Sequence, residues 1–203
     1  MPASKCGACD IEAIVLDAIK NPLKPQISSD DRIRGNKDAP IVVVEYSDFE
    51  CPFCSQLHPT LARVVEESEG EVAWVYRHLP LTAIHSRAQV AAVASECVAE
   101  LGGNDAFWSY SDALFGNYRG LTSDFLQTSA VAIGIDSGTF DACLTSGKHD
   151  ARVQADLQNA NASGGTGTPF SIVINGKGEP FPFAGALPYE QIKAIVGAAL
   201  ASS

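Results

Sequence analysis

The sequence predicts an α/β fold interrupted by a helical insertion, and three observations carry that expectation. The run "IVVVEYSDF", starting at Ile41, is almost continuously apolar and rich in β-branched residues, which suits a strand covered on both faces of a sheet. Between residues 84 and 163 the pattern changes to short helical segments separated by glycines. Strand signal then returns in "PFSIVIN" and "FPFAG", ahead of a closing helical stretch. With 203 residues and 46% hydrophobic content, the chain can bury one substantial core together with an inserted subdomain.

Residues 1–34 read as a peripheral arm: a short amphipathic helix over residues 10–20, then a polar, proline-containing stretch. "IVVVEYSDF" is the expected central strand. From Ser55 onward Leu57, Leu61, Val64 and Val65 recur at helical spacing as far as the break at "SEG". "EVAWVYRHLPL" is a second strand. The helical block runs through "SRAQVAAVASECVAEL", "NDAFWSYSDALFGN", "TSDFLQTSAVAIG", "SGTFDACLTSG" and "DARVQADLQNANA", with stops at Gly102, Gly103, Gly134 and Gly147. The flexible "GGTGT" leads into the two later strands and the helix "YEQIKAIVGAALA". A β-α-β half, a helical insertion and a β-β-α half together describe a thioredoxin fold with an inserted helical domain. The expected division is 1–34 for the arm, 35–83 with 164–203 for the thioredoxin-like domain, and 84–163 for the insertion.

Composition narrows the function. A formal net charge of -10 without clustered Lys and Arg argues against nucleic acid as a partner. No run reaches the roughly 20 apolar residues of a membrane span, and "IEAIVLDAI" carries Glu12 and Asp17, so a soluble chain is expected. No basic segment followed by an apolar one opens the sequence, which leaves a signal peptide absent or removed. Six cysteines is a high and even number, which leans towards an oxidising compartment.

Cys51 and Cys54, in "CPFC", stand between the central strand and the following helix. Cys51 falls near the N-cap with Pro52 at N1, where a missing N–H is no loss. The first-turn amides and the positive end of the helix dipole then favour a thiolate at Cys51. A stabilised thiolate attacks mixed disulfides faster and makes the disulfide more oxidising, with Cys54 as the resolving thiol. A structural zinc site is disfavoured because no second pair lies at finger-like spacing, and an inert staple because so small a ring restricts little chain entropy. Pro59 removes a helical hydrogen bond, so a kink is expected just beyond the site.

Two further features join the pair. Glu45, six residues before Cys51 and inside an apolar run, is a candidate proton relay to Cys54 whose pKa burial would raise. The alternative is a solvent-facing or lysine-paired carboxylate. Thr168 and Pro169 in "GTGTPF" precede a strand where a cis peptide would present backbone groups to an extended polypeptide, an ordinary trans turn being the alternative. His58, His78 and His85 are weaker candidates; His58 reads as a packing histidine one turn beyond Cys54.

With "RGNKDAPIVVVEYSDFECPFC", "YRHLPL" and "GTGTPF" in this order, the sequence from about residue 32 onward resembles the DsbA-like thiol-disulfide oxidoreductases of the thioredoxin superfamily. The resemblance implies that Cys51 is the exposed nucleophile, Cys54 its buried partner and Glu45 the buried acid beneath them. Pro52, Phe53, Thr168 and Pro169 become substrate contacts. It places a structural bridge between Cys97, in the first helix of the insertion, and Cys143, in the fourth. It further implies reduced or unfolded polypeptide substrates, a periplasmic or otherwise extracytoplasmic location, and reoxidation by a quinone-linked membrane partner. No cofactor or metal is needed beyond the Cys51/Cys54 disulfide, and a monomer is expected. Phe53 stands where the best-known enterobacterial members carry His, which implies a milder oxidant. The N-terminal "CGAC", Cys6 to Cys9, does not map onto the family. The rival readings are a disulfide isomerase or reductase, and a copper-binding protein using the same thiolates.

Overall fold

The structure is a computed structural model in which residues 25–203 are described. The helix expected over residues 10–20, and Cys6 with Cys9, lie outside the described residues.

Among the described residues five strands form one mixed sheet: β1 (Arg32–Gly35), β2 (Ile41–Ser47), β3 (Val72–His78), β4 (Phe170–Ile174) and β5 (Pro180–Ala184), in the order β1-β3-β2-β4-β5. β2 is central, parallel to β3 and antiparallel to β4, and all its residues except Val42 are buried. Its alternating side chains feed two cores. Val43 joins Trp74, Tyr76 and Val173 on one face; Val44 and Tyr46 join Val75, Ile172 and Ile174 on the other. This is the thioredoxin-fold sheet with flanking helices that the sequence predicts.

β1 is a correction. The sequence reading places residues 32–34 in the arm, yet they pair antiparallel with β3, so the sheet begins inside that segment. "RIRG" has one apolar residue and no run to detect. Its attachment is electrostatic as well: Arg32 pairs with the buried Glu96, which also accepts from the ring of His78. Arg77 holds Asp31 in a buried ion pair and donates to the Gln26 carbonyl, fixing the entry of the described chain.

Helix α1 (Pro52–Glu66) lays Cys54, Leu57, Leu61 and Val64 on the first face of the sheet, and α6 (Tyr189–Ala201) adds Ile192, Val196 and Ala199 to the same core. The insertion comprises α2 (Ala88–Gly116), α3 (Ser123–Ala132), α4 (Ser137–Thr145) and α5 (Asp150–Ala162). Two helices expected in sequence run together as α2, broken at Gly103, whose φ of 83° is open to glycine but strained for other residues. Thr122 and Asp136 cap α3 and α4 by accepting from Phe125 N–H and Thr139 N–H. Cys97 and Cys143 form a disulfide joining α2 to α4.

Candidate active site

Cys51 is the N-cap of α1, with extended backbone (φ -77°, ψ 124°) and Pro52 at the first helical position. No side chain caps this end, so its free N–H groups are left to the Cys51 sulfur. The Cys51 thiol lies 3.6 Å from the Thr168 carbonyl oxygen, and the Thr168–Pro169 peptide is cis. Cys51 and Cys54 are both free thiols. Phe53, between them in sequence, is 56% exposed.

Cys51 departs from expectation in one respect: it is 3% exposed rather than open to solvent. The Thr168 carbonyl, from the segment just before β4, lies against its sulfur. Cys54 is completely buried.

The two thiols titrate far apart. Cys51 is lowered to about 5, first by the hydrogen bond from the Cys54 thiol, then by Thr168 and the Cys54 and Phe53 amides, against the opposing effect of burial. Burial pushes Cys54 well above the ordinary thiol range, and its hydrogen bond to Cys51 and the nearby Glu45 charge push it further. Alkylation of Cys51 by iodoacetamide is therefore expected to reach half its maximal rate near pH 5, the thiolate fraction falling below that pH, with Cys54 unreactive at neutrality. A half-maximum near 9, the ordinary thiol value, would contradict thiolate stabilisation.

Glu45 is fully buried on β2, with Trp74 Nε1 donating to its Oε2 at 3.0 Å. It is not solvent-facing, and no lysine among the described residues pairs with it. Desolvation raises its pKa to about 7, partly offset by Ser47 and Trp74.

His58 is buried against Trp74 and Phe115, its Nε2 2.6 Å from Asp112 Oδ1, and burial lowers its pKa. With Ser55, whose hydroxyl donates to the Phe115 carbonyl at 2.8 Å, it ties α1 to the far end of α2. His78 is buried in the Glu96 pair, away from the sulfurs' hydrogen bonds.

Asp48 and Glu50, just before Cys51, are site supports that the sequence reading misses. Asp48 is buried; it accepts from the Glu50 N–H, the Leu81 N–H and the His85 ring, the last at 2.7 Å. Glu50 accepts from the Arg87 N–H at 2.6 Å. The turn carrying Cys51 is thus fastened to the loop after β3. An acidic pair beside "CPFC" is the only local signal; its partners are more than thirty residues away.

A family model described as Thioredoxin matches residues 28–198. Among curated relatives, the Na(+)/H(+) antiporter NhaA 3 of Salinispora tropica is 36% identical over 173 residues, which is 85% of this chain and 25% of the relative. The chain thus spans about a quarter of that relative's length. Among its described residues no helix is long and apolar enough to cross a membrane. Pseudomonas aeruginosa DsbA2 superposes with a TM-score of 0.73 at 26% identity, covering 87% of this chain and 98% of that one. Wolbachia pipientis alpha-DsbA2, a thiol-disulfide exchange protein, gives 0.77 at 16% identity, covering 94% and 98%, and speaks to the fold alone.

Proposed function

We propose, for a chain that belongs to the thioredoxin family, that it is a DsbA-like thiol-disulfide oxidoreductase with Cys51 and Cys54 as its redox centre and that it donates disulfides to polypeptides. The observation that carries this reading is the unlike placement of the two thiols: Cys51 is the N-cap of α1, 3.6 Å from the Thr168 carbonyl oxygen, and Cys54 is completely buried, so the first is lowered to about 5 and the second raised. It makes Cys51 both the attacking group and the better leaving group.

In the proposed reaction the enzyme starts with a Cys51–Cys54 disulfide. A substrate thiolate attacks Cys51 Sγ, the S–S bond breaks, and Cys54 leaves with the electron pair and takes up a proton from Glu45. A second substrate thiolate then attacks the substrate sulfur of the mixed disulfide and expels Cys51 as a stable thiolate. The substrate loses two electrons and gains a disulfide; the enzyme gains both electrons as a dithiol. Pro52, Phe53, Thr168 and Pro169 are the proposed polypeptide contacts, Thr168 by its carbonyl, 3.6 Å from the attacked sulfur, and Phe53 by its exposed ring. Reoxidation falls to a quinone-linked thiol oxidase in the membrane, and the protein works outside the cytoplasm. The domain division at residues 35–83 with 164–203 and 84–163 stands as part of the proposal, with β1 added to the first.

The isomerase or reductase reading uses the same residues, and the potential separates it from the oxidase. A Cys51 thiolate held well below the ordinary thiol range stabilises the reduced form and so raises the potential. Equilibration against glutathione, with Cys6 and Cys9 replaced by Ser, is expected to give a potential above that of the glutathione couple. A value near that of thioredoxin would make the protein a reductase or isomerase. The copper-binding rival predicts stoichiometric Cu(I) uptake that protects Cys51 from alkylation, without turnover of dithiol peptides.

A further inference from the structure

Among the described residues, four buried polar atoms on one face of the sheet make no hydrogen bond of normal geometry: Glu45 Oε1, Ser47 Oγ, Tyr76 OH and Ser171 Oγ. Strand register explains why they gather. Glu45 pairs with Tyr76 on β3 and with Ser171 on β4, so the three side chains leave the sheet on the same side in one row. Ser47, two residues further along β2, faces the same way. This is the face on which Cys54 packs.

Ser47 is the shared neighbour in this group. It is 1% exposed, and its hydroxyl lies close enough to Glu45, Cys54 and Tyr76 to lower the pKa of all three. Apolar side chains would fill this face with no unmet hydrogen bonds, and they do fill it elsewhere, as at Val43, Trp74 and Val173. The hydroxyls are confined to the surroundings of one carboxyl and one sulfur.

We infer that Ser47 is a positioning residue for proton exchange, its hydroxyl bridging Cys54 Sγ and Glu45 Oε1. The inference rests on the assignment of Glu45 as the group that exchanges a proton with Cys54. When Cys54 leaves as a thiolate, Ser47 gives its hydroxyl proton to that sulfur and takes the proton of Glu45. Ser47 ends unchanged, Cys54 is a thiol and Glu45 a carboxylate held by Trp74 N–H. In reverse the same transfer deprotonates Cys54 for attack on a mixed disulfide. Tyr76, at the far side of Glu45, stays protonated throughout, because burial and the Glu45 charge hold its pKa well above the ordinary phenol range.

The other titratable groups facing this point are accounted for. From β3, His78 is engaged with Glu96 of α2. From α1, Cys51 carries the thiolate and His58 is engaged with Asp112 of α2. Beyond β2, Asp48 is engaged with His85. β4 offers only Ser171, which does not titrate.

The test is release of glutathione from a Cys51–glutathione mixed disulfide of the full chain, followed against pH with Cys6 and Cys9 replaced by Ser. This step requires Cys54 to lose its proton and attack. Ser47→Ala is expected to slow release at neutral pH by about tenfold and move the rising limb to higher pH, since a group that lowers the Cys54 pKa is gone. Ser47→Thr, which keeps a hydroxyl, is expected to restore the profile. In the Glu45→Gln background, Ser47→Ala is expected to add no further slowing, as for two groups acting as a unit. If Glu45→Gln moves the profile and Ser47→Ala does not, the role of Ser47 is overturned while that of Glu45 stands. Additive slowing in the double variant overturns it as well. If neither single variant moves the profile, both assignments fall.

Discussion

Replacing Cys51 by Ser is expected to reduce oxidation of a dithiol peptide by roughly a thousandfold or more, because it removes both the atom attacked and the thiolate that leaves. Replacing Cys54 has a different signature. Cys51 stays available, but no second sulfur can close the internal disulfide, so polypeptides accumulate as mixed disulfides at Cys51. The choice of replacement matters as well. The hydrogen bond from the Cys54 thiol is the largest influence lowering the Cys51 pKa to about 5. Cys54→Ala, with no donor, is expected to raise that pKa, whereas the hydroxyl introduced by Cys54→Ser still donates and raises it less. Peptide mapping of the trapped conjugates and the pH dependence of Cys51 alkylation check both effects, with Cys6 and Cys9 replaced by Ser. Conjugates on the sulfur of Cys54 in the Cys51→Ser variant, at the yield found for Cys51 in Cys54→Ser, would reverse the assignment of nucleophile.

The elements with a clear apolar run or stripe are the ones legible in sequence. β2 is a continuous apolar run and is central; α1 shows its apolar stripe at Leu57, Leu61 and Val64, and these residues pack on the sheet. The glycine-punctuated helices of the insertion occur where their stops predict, except that Gly102 continues the helix and Gly103 alone breaks it. What sequence does not carry is register and long-range pairing. Glu45 is visible as an anomaly in an apolar strand, but Tyr76 and Ser171 become its neighbours only through the pairing of β3 and β4 with β2. β1 escapes because four residues with a single apolar side chain have no period, and its strand character comes from pairing with β3. The burial of Cys51 escapes for a similar reason: Thr168, which meets its sulfur, lies 117 residues away.

The second large effect concerns stability. Cys97 and Cys143 are separated by 46 residues, and their bridge closes most of α2, all of α3 and most of α4 into one loop. Simultaneous replacement of both by Ala is expected to destabilise the protein by about 4 kcal/mol on the chain-entropy treatment of a loop this long. For a chain of this size that is a fall in melting temperature on the order of 10 °C. Cys97 is fully buried and Cys143 nearly so, so part of any loss arises from removed packing. The denaturant slope separates the two contributions. A released cross-link lets the unfolded chain expand and expose more surface, so the m-value in urea is expected to rise, whereas lost packing alone leaves it unchanged. The Cys51/Cys54 potential is expected to stay where it is, because α1 is fastened to α2 through Phe115 and Asp112, beyond the Gly103 break from the half that carries Cys97. An unchanged melting temperature would mean that the bridge adds nothing the packed helices do not already supply. A shifted potential would mean that the insertion transmits strain to the Cys51 sulfur.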